Sequence, residues 1–499
     1  MPRSPRTELS PPDDAAIRSS APTSPTAKRK LLRVLAPLVA GIVLLLTPVP
    51  QGLAPNAWRY FALFAAVVVA LITEPIPVAT IGLVGIVLGA VSGFISTSPA
   101  QSAAWALSGF SNNTVWLVFA AFMFALGYSK TGLGRRIALL LIRTMGRRTL
   151  GLGYAIALSD LALAPLMPSN TARSAGTIFP IVRNIPELYG SYPGEASSRK
   201  IGAYLMYTAL AATCITSSMF LTALAPNILA LTLAVKVMNV NLSWVTWFKG
   251  FAPAGVVLLG LTPFLLYKIY PPEIREAPEA PRWAAEELRK MGPISQKELT
   301  LLALVTAALL LWIFGAKYVD ATIAAVMAVA GMVLLRVVSW DDVIQHHQAW
   351  DVLIYFATLV SMASGLVDTK FVDWLAKSIA AAMSGLGTLA ATVLLVGAFF
   401  FLHYLFASVT AHTTALLPVF LGVAMKIPGV SHAAVALLLA YSLGLIGILS
   451  PYATGPSPIY YAGGYIQRRD FWLFGLILGV IFFAAQVVIV IPWLTFLGI

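Results

Sequence analysis

Apolar residues run through this chain in blocks separated by short polar stretches. Blocks long enough to cross a bilayer core, roughly 17 to 25 residues, begin near Leu32, Ala57, Val78, Thr114, Ile201, Phe251, Leu299, Ala321, Val352, Ala433 and Phe471. They predict about eleven transmembrane helices. Two further apolar stretches, residues 151–185 and 386–425, are broken in mid-run by polar residues and proline. They predict re-entrant hairpins, paired half-helices that enter and leave by one face, a form tolerated only where protein or water surrounds the broken backbone. Amphipathic stretches at residues 132–145 and 371–383 predict helices lying along the membrane surface, each joining a span to a hairpin. They are read either as arms for a moving part or as simple surface anchors.

Composition agrees with the pattern. Of 499 residues, 59% are hydrophobic and only 11% charged, and the mean hydropathy is +0.84. A soluble domain of this size is not that apolar, so the expected fold class is an all-α integral membrane protein embedded in a lipid bilayer. The net charge of +13 does not imply nucleic acid, because the basic residues sit in short clusters between apolar runs and form no continuous basic face. These clusters are Lys28 to Arg33, Arg135 to Arg148, Arg199 with Lys200, and Arg468 with Arg469. They share one side if the N-terminus is cytoplasmic, which puts the C-terminus outside. Residues 1–30, rich in Pro, Ser and charge, read as a disordered tail; residues 31–265 as a first membrane half; 266–298 as a charged cytoplasmic connection; and 299–499 as a second half. The single cysteine, Cys214, reads as a packing residue.

The halves resemble each other. Residues 113–137 lie over residues 351–375 at an offset of 238, matching Gly127 with Gly365 and Thr131 with Thr369. Each copy leads into a hairpin, the first entered from the cytoplasm and the second from outside, so the repeat is inverted. Inverted repeats with helices broken at midplane point to the binding site of a secondary transporter.

At an offset of 239, Ser169-Asn170-Thr171-Ala172-Arg173 falls on Ser408-Val409-Thr410-Ala411-His412. Each hairpin thus offers two hydroxyls and, two residues on, a basic side chain. A hairpin tip exposes unpaired N–H groups at a helix start, an anion site, and Arg173 has the geometry to hold a carboxylate through two parallel bonds. Each half also breaks a later helix, at Thr222-Ala223-Leu224-Ala225-Pro226-Asn227 and at Tyr452-Ala453-Thr454-Gly455-Pro456-Ser457-Pro458. Proline frees carbonyls there, and Pro226, Asn227, Thr454, Pro456 and Ser457 are expected to complete the cavity. Plainer readings stand beside these. Arg173 snorkels to the interface or pairs with Asp160; His412 is a neutral histidine bonded to a carbonyl; Asn170 and Thr171 cap a half-helix; Asn227 and Ser457 are turn residues. No nucleophile, metal cluster or acid pair is grouped in the apolar spans, so an enzyme is not expected. Closed inverted hairpins also argue against an anion channel.

With these motifs the sequence resembles the divalent anion/sodium symporter superfamily from about Leu32 to the C-terminus, including Thr73-Glu74-Pro75-Ile76-Pro77. PSNTAR, FLTALAPN, SVTAHTTALLPV and YATGPSPIYY are similar to its branch of citrate/succinate, tartrate/succinate and oxoglutarate/malate antiporters. The resemblance implies an elevator-type homodimer in a bacterial inner membrane, with no cofactor, carrying small di- and tricarboxylates such as succinate, malate, oxoglutarate, tartrate or citrate. Sodium-coupled members carry Ser-Asn-Thr in both hairpins. Here the second Asn is Val409, which cannot coordinate a cation, and Arg173 and His412 stand where those members have small neutral residues. The expectation is sodium-independent exchange with fixed positive charge replacing a bound ion; a sodium- or proton-coupled symporter is the alternative.

Overall fold

The structure, a computed structural model, describes residues 27–315, 317–382 and 385–499, and these residues form helices joined by short loops, with no β-strand among them. The proposed tail falls outside the described residues except for its last four, which open the first helix, α1 (Ala27–Leu46).

The first repeat comprises α2 (Pro55–Thr73), α3 (Val78–Val91), α4 (Pro99–Leu107), α5 (Asn113–Thr131), the amphipathic α6 (Leu133–Met145), the hairpin arms α7 (Thr149–Leu163) and α8 (Phe179–Glu187), α9 (Gly202–Met219), α10 (Ala225–Met238) and α11 (Trp244–Ile269). The charged connection carries α12 (Glu279–Met291). The second repeat comprises α13 (Gln296–Phe314), α14 (Ala321–Leu334), α15 (Trp340–Gln345), α16 (His347–Asp368), the amphipathic α17 (Phe371–Ala382), the hairpin arms α18 (Thr388–Phe401) and α19 (Val409–Ala424), α20 (His432–Leu445) and α21 (Pro456–Ala462). The chain closes with α22 (Arg468–Ala485) and α23 (Ile491–Phe496).

The element boundaries repeat as well as the residues. Helix α3 and helix α14 start at Val78 and Ala321 and end at Val91 and Leu334, while α7 and α18 start at Thr149 and Thr388, the offset of 239 read from the tips. Each expected span overlaps a helix, but among the described residues eight helical segments are long and apolar enough to cross a membrane, the hairpin arms α7 and α18 among them. Two elements were not foreseen. The uncharged residues 96–113, which carry no spanning run, contain α4, the counterpart of α15. The connection is not a simple linker either: α12 packs on α6 through Arg135–Glu287 at 2.6 Å, and the start of α13 is held by Arg136–Glu298 at 2.6 Å.

Helices begin where the sequence can satisfy their first amides. Asn112 accepts from Thr114 N at the start of α5, and Ser295 forms a capping box with Glu298 at the start of α13. Two packed groups result. Helices α1 to α5, α13, α14 and α16 form one, in which α3 crosses α16 so closely that a Cβ on Gly82 would lie 2.0 Å from Thr358 Oγ1. The hairpins with α9 to α11 and α20 to α23 form the other, and α6 and α17 bridge to the hairpins.

Candidate functional site

The two hairpin tips are built alike. In the first, α7 ends in a tight turn over Ala164–Leu166, Met167 is extended, and the chain rewinds from Thr171 as a wide π-helix to Ile178. Pro165 and Pro168 account for the break, since neither has an N–H to continue the helix. In the second, the turn is Leu402–Leu405 and α19 starts at Val409. Ser169 Oγ accepts from Ala172 N (3.1 Å) and Ser169 O from Arg173 N (2.9 Å). Ser408 Oγ accepts from Ala411 N (3.4 Å) and Ser408 O from His412 N (3.0 Å). Both serines therefore cap the returning half-helix at the same register. Thr171, Ser408 and Thr410 are half-buried, and Asn170 is buried.

The first tip rests on the second repeat's broken helix. Asn170 Nδ2 donates to Thr454 Oγ1 at 2.8 Å, and Thr171 comes so near Gly455 that a Cβ there would lie 1.9 Å from its hydroxyl. Only glycine admits that approach. Ser174 Oγ and Tyr460 OH lie 2.9 Å apart on the same side. In the mirror arrangement, α19 packs along α10.

The broken helices are stitched by two of the expected site residues. Asn227 Nδ2 donates to Ser217 O (2.7 Å) and Phe220 O (3.2 Å); Ser457 Oγ donates to Gly447 O (2.9 Å). Both are fully buried, and each reaches the carbonyl ten residues back. Pro226 and Pro456 occupy the first turn of α10 and α21, where a missing N–H costs nothing. These four residues shape the unwound segments, as turn residues do; the Asn227 amide nitrogen and the Ser457 hydroxyl are bonded to backbone, while Asn227 Oδ1 has no hydrogen-bond partner among the described residues.

Arg173 differs most from the expectation. It is fully buried, and its Nε donates to Asp160 Oδ2 (3.1 Å), Nη1 to Met167 O (2.7 Å) and Ala223 O (2.8 Å), and Nη2 to Thr213 Oγ1 (3.2 Å), Thr216 Oγ1 (3.3 Å) and Ser217 Oγ (3.0 Å). Thr216 also hydrogen-bonds to Asp160. Every part of the guanidinium is used, and its charge is balanced by Asp160, so it offers no free fork to a carboxylate. Its position is behind the tip, where it ties the hairpin to the broken segment of its own repeat.

His412 sits at the matching register in opposite surroundings. It is fully buried, both ring nitrogens lack a hydrogen-bond partner among the described residues, and the rings of Phe399, His403 and Phe406 lie at centroid distances of 4.4, 5.0 and 5.1 Å. The bond to a backbone carbonyl considered for His412 is made instead by His403, whose Nε2 donates to Ala453 O at 2.8 Å. Ala453 stands to the second break as Ala223 stands to the first, so His403, not His412, mirrors the Arg173 contact. Sequence reading missed His403, Tyr460 and the Thr213-Thr216-Ser217 row. That row had a signal: polar residues at helical spacing on one stripe of an otherwise apolar span.

Inverted repeats, two capped hairpin tips and two stitched breaks define a membrane transporter. The sequence model of the family described as "Sodium:sulfate symporter transmembrane region" matches residues 28–499, and the chain belongs to that family. Over 474 residues it is 46% identical to the L-tartrate/succinate antiporters of Shigella sonnei strain Ss046 and Escherichia coli strain K12, spanning 93% of this chain and 97% of each relative. The fold is similar to that of the YdaH transporter of Alcanivorax borkumensis (TM-score 0.55, 16% identity, 80% of this chain and 90% of that one). It is also similar to MtrF of Neisseria gonorrhoeae (TM-score 0.56, 14% identity, 93% and 94%).

Proposed function

We propose that the protein exchanges small di- and tricarboxylates across a bacterial inner membrane without sodium. The observation that carries this reading is the pair of serine-capped tips in one register, the first seated on the second repeat's broken helix and the returning helix of the second packed along α10. Each tip opens a helix, and the partial positive charge of two helix starts suits the two ends of a dicarboxylate. The relatives described as L-tartrate/succinate antiporters support the same substrate class and exchange.

In this reading Ser169, Asn170, Thr171, Ser408 and Thr410 hold the anion. Thr454 orients Asn170, while Pro226, Asn227, Pro456 and Ser457 fix the walls. Arg173 is a positioning residue, and His412 packs behind the second tip. Sodium independence then rests on Val409, whose side chain has no oxygen at the position of Asn170, and no longer on added positive charge. The tips move with α9, α10, α20 and α21 past the other helix group in an elevator stroke, α6 and α17 serving as arms; the working unit is a homodimer with a cytoplasmic N-terminus and an external C-terminus.

Counterflow of radiolabelled succinate into proteoliposomes tests the function. Uptake is expected only with succinate, malate or tartrate inside, at the same rate in sodium and potassium buffers. Strict sodium dependence, or net uptake into empty liposomes, refutes it.

A further inference from the structure

A polar cavity lies away from the tips. It encloses about 340 Å³, within the range of small-ligand sites, and is lined by Trp105 and Ser108 at the end of α4, Ser364, Val367 and Asp368 at the end of α16, and Lys236 at the end of α10. It therefore straddles the seam between the two helix groups.

Its donors are unspent. Trp105 is 93% buried (7% exposed), yet its indole Nε1 has no hydrogen-bond partner among the described residues. A stranded buried donor costs about 1 to 3 kcal/mol. The ring is not free to turn away: a Cβ on Gly89 would lie 2.5 Å from it, and Tyr60 stands edge-on at 6.0 Å. Lys236 makes no salt bridge among the described residues, and as the last-turn cation of α10 it sits where the helix dipole favours positive charge.

Behind these donors the wall is rigid. Gly109 N donates to Ser361 Oγ (2.9 Å), Ser108 Oγ lies 3.3 Å from the same hydroxyl, and Ser364 Oγ gives its proton to Ser361 O (2.8 Å). Ser364 therefore faces a ligand as an acceptor, as does the Asp368 carboxylate. A fixed N–H and an ammonium for a carboxylate, beside two acceptors for a hydroxyl, form a complementary set.

We infer that this cavity is a second anion site that takes a small hydroxycarboxylate, its carboxylate on Lys236 and Trp105 and its hydroxyl on Asp368 and Ser364. Because Lys236 belongs to α10 and the other ligands to α4 and α16, an occupied site holds the two groups of helices in the present arrangement.

The test is equilibrium binding of radiolabelled malate and succinate to the purified full-length protein in detergent, in an Asn170→Ala background that weakens the tips. Residual malate binding is expected, weakened about tenfold by Lys236→Gln and about threefold by Trp105→Phe. Asp368→Asn is expected to narrow the preference for malate over succinate. Trp105→Phe keeps the ring in its slot between Gly89 and Tyr60, so it remains informative if Lys236→Gln folds poorly. Absence of residual malate binding overturns the site. So does binding indifferent to both substitutions, or a Lys236→Gln/Asp368→Asn double variant that regains full binding, which would make the two residues partners of each other. The readout does not require transport, so failure here is separate from failure of the exchange assay.

Discussion

The two hairpin tips share a backbone frame and differ in how they are held from behind. At the first, a buried cation has every donor matched, by a carboxylate, two carbonyls and three hydroxyls. At the second, the residue in the same register is an imidazole among aromatic rings with neither nitrogen partnered. A shared register therefore fixes where a side chain starts, while neighbouring helices decide what it does. The polar row on α9 makes Arg173 a cross-brace. The second repeat instead has Leu443, Ile446 and Gly447 where the first has Thr213, Thr216 and Ser217, and no carboxylate is paired with His412 among the described residues.

The largest effect is expected from Arg173→Ala, which strands a buried Asp160. A loss of about 3 to 5 kcal/mol is expected, read as a large fall in thermal midpoint and monodisperse yield in detergent. Asp160→Asn in the same chain should restore part of it. Recovery of neither stability nor yield would show that the hydroxyl and carbonyl contacts dominate.

Asn227→Ala should cost about 2 kcal/mol and Ser457→Ala about 1 kcal/mol, since the first loses two bonds to carbonyls and the second one. Comparing the two midpoints measures how unequally the breaks are stitched. His412→Phe should be stability-neutral or raise the midpoint slightly, because it removes two unpartnered nitrogens from an aromatic pocket. Retained stability with lost counterflow would instead place His412 on the substrate. The smallest effect is expected at the rim. The hydrogen bond from Lys130 (Nζ to Asp342 Oδ1, 2.8 Å) and the amide of Ser339 hold the Asp342 carboxyl down at about 2. Its contribution is present above the ordinary carboxylate range and fades only as the pH falls toward 2. Lys130→Ala should therefore leave the midpoint at neutral pH unchanged within error.

What the sequence made legible was periodic or punctuated. Span positions followed from apolar length, the repeat from the matched Gly and Thr, its inversion from the side on which the basic clusters fall, and the tips from proline and the Ser-x-Thr register. Partnerships were hidden because they cross the chain: Ala223 lies 50 residues from Arg173, and Tyr460 lies 286 from Ser174. Helix α4 escaped because nine residues, several of them small or polar, fall short of any spanning pattern. The fixed-charge idea failed for a related reason. Asp160 and Arg173 are 13 residues apart, and their pairing was visible as an option, but the hydroxyls that settle it belong to another helix.

The crossed seating of the tips also constrains how the protein is made. Asn170 emerges from the ribosome 284 residues before Thr454, its hydrogen-bond partner. At about 5 to 20 residues per second, the first tip waits on the order of 15 to 60 seconds in the bilayer with a polar face uncovered. During that interval Arg173 and the α9 hydroxyls, already synthesised or following within seconds, can hold the newborn hairpin together until the second repeat arrives to cover it.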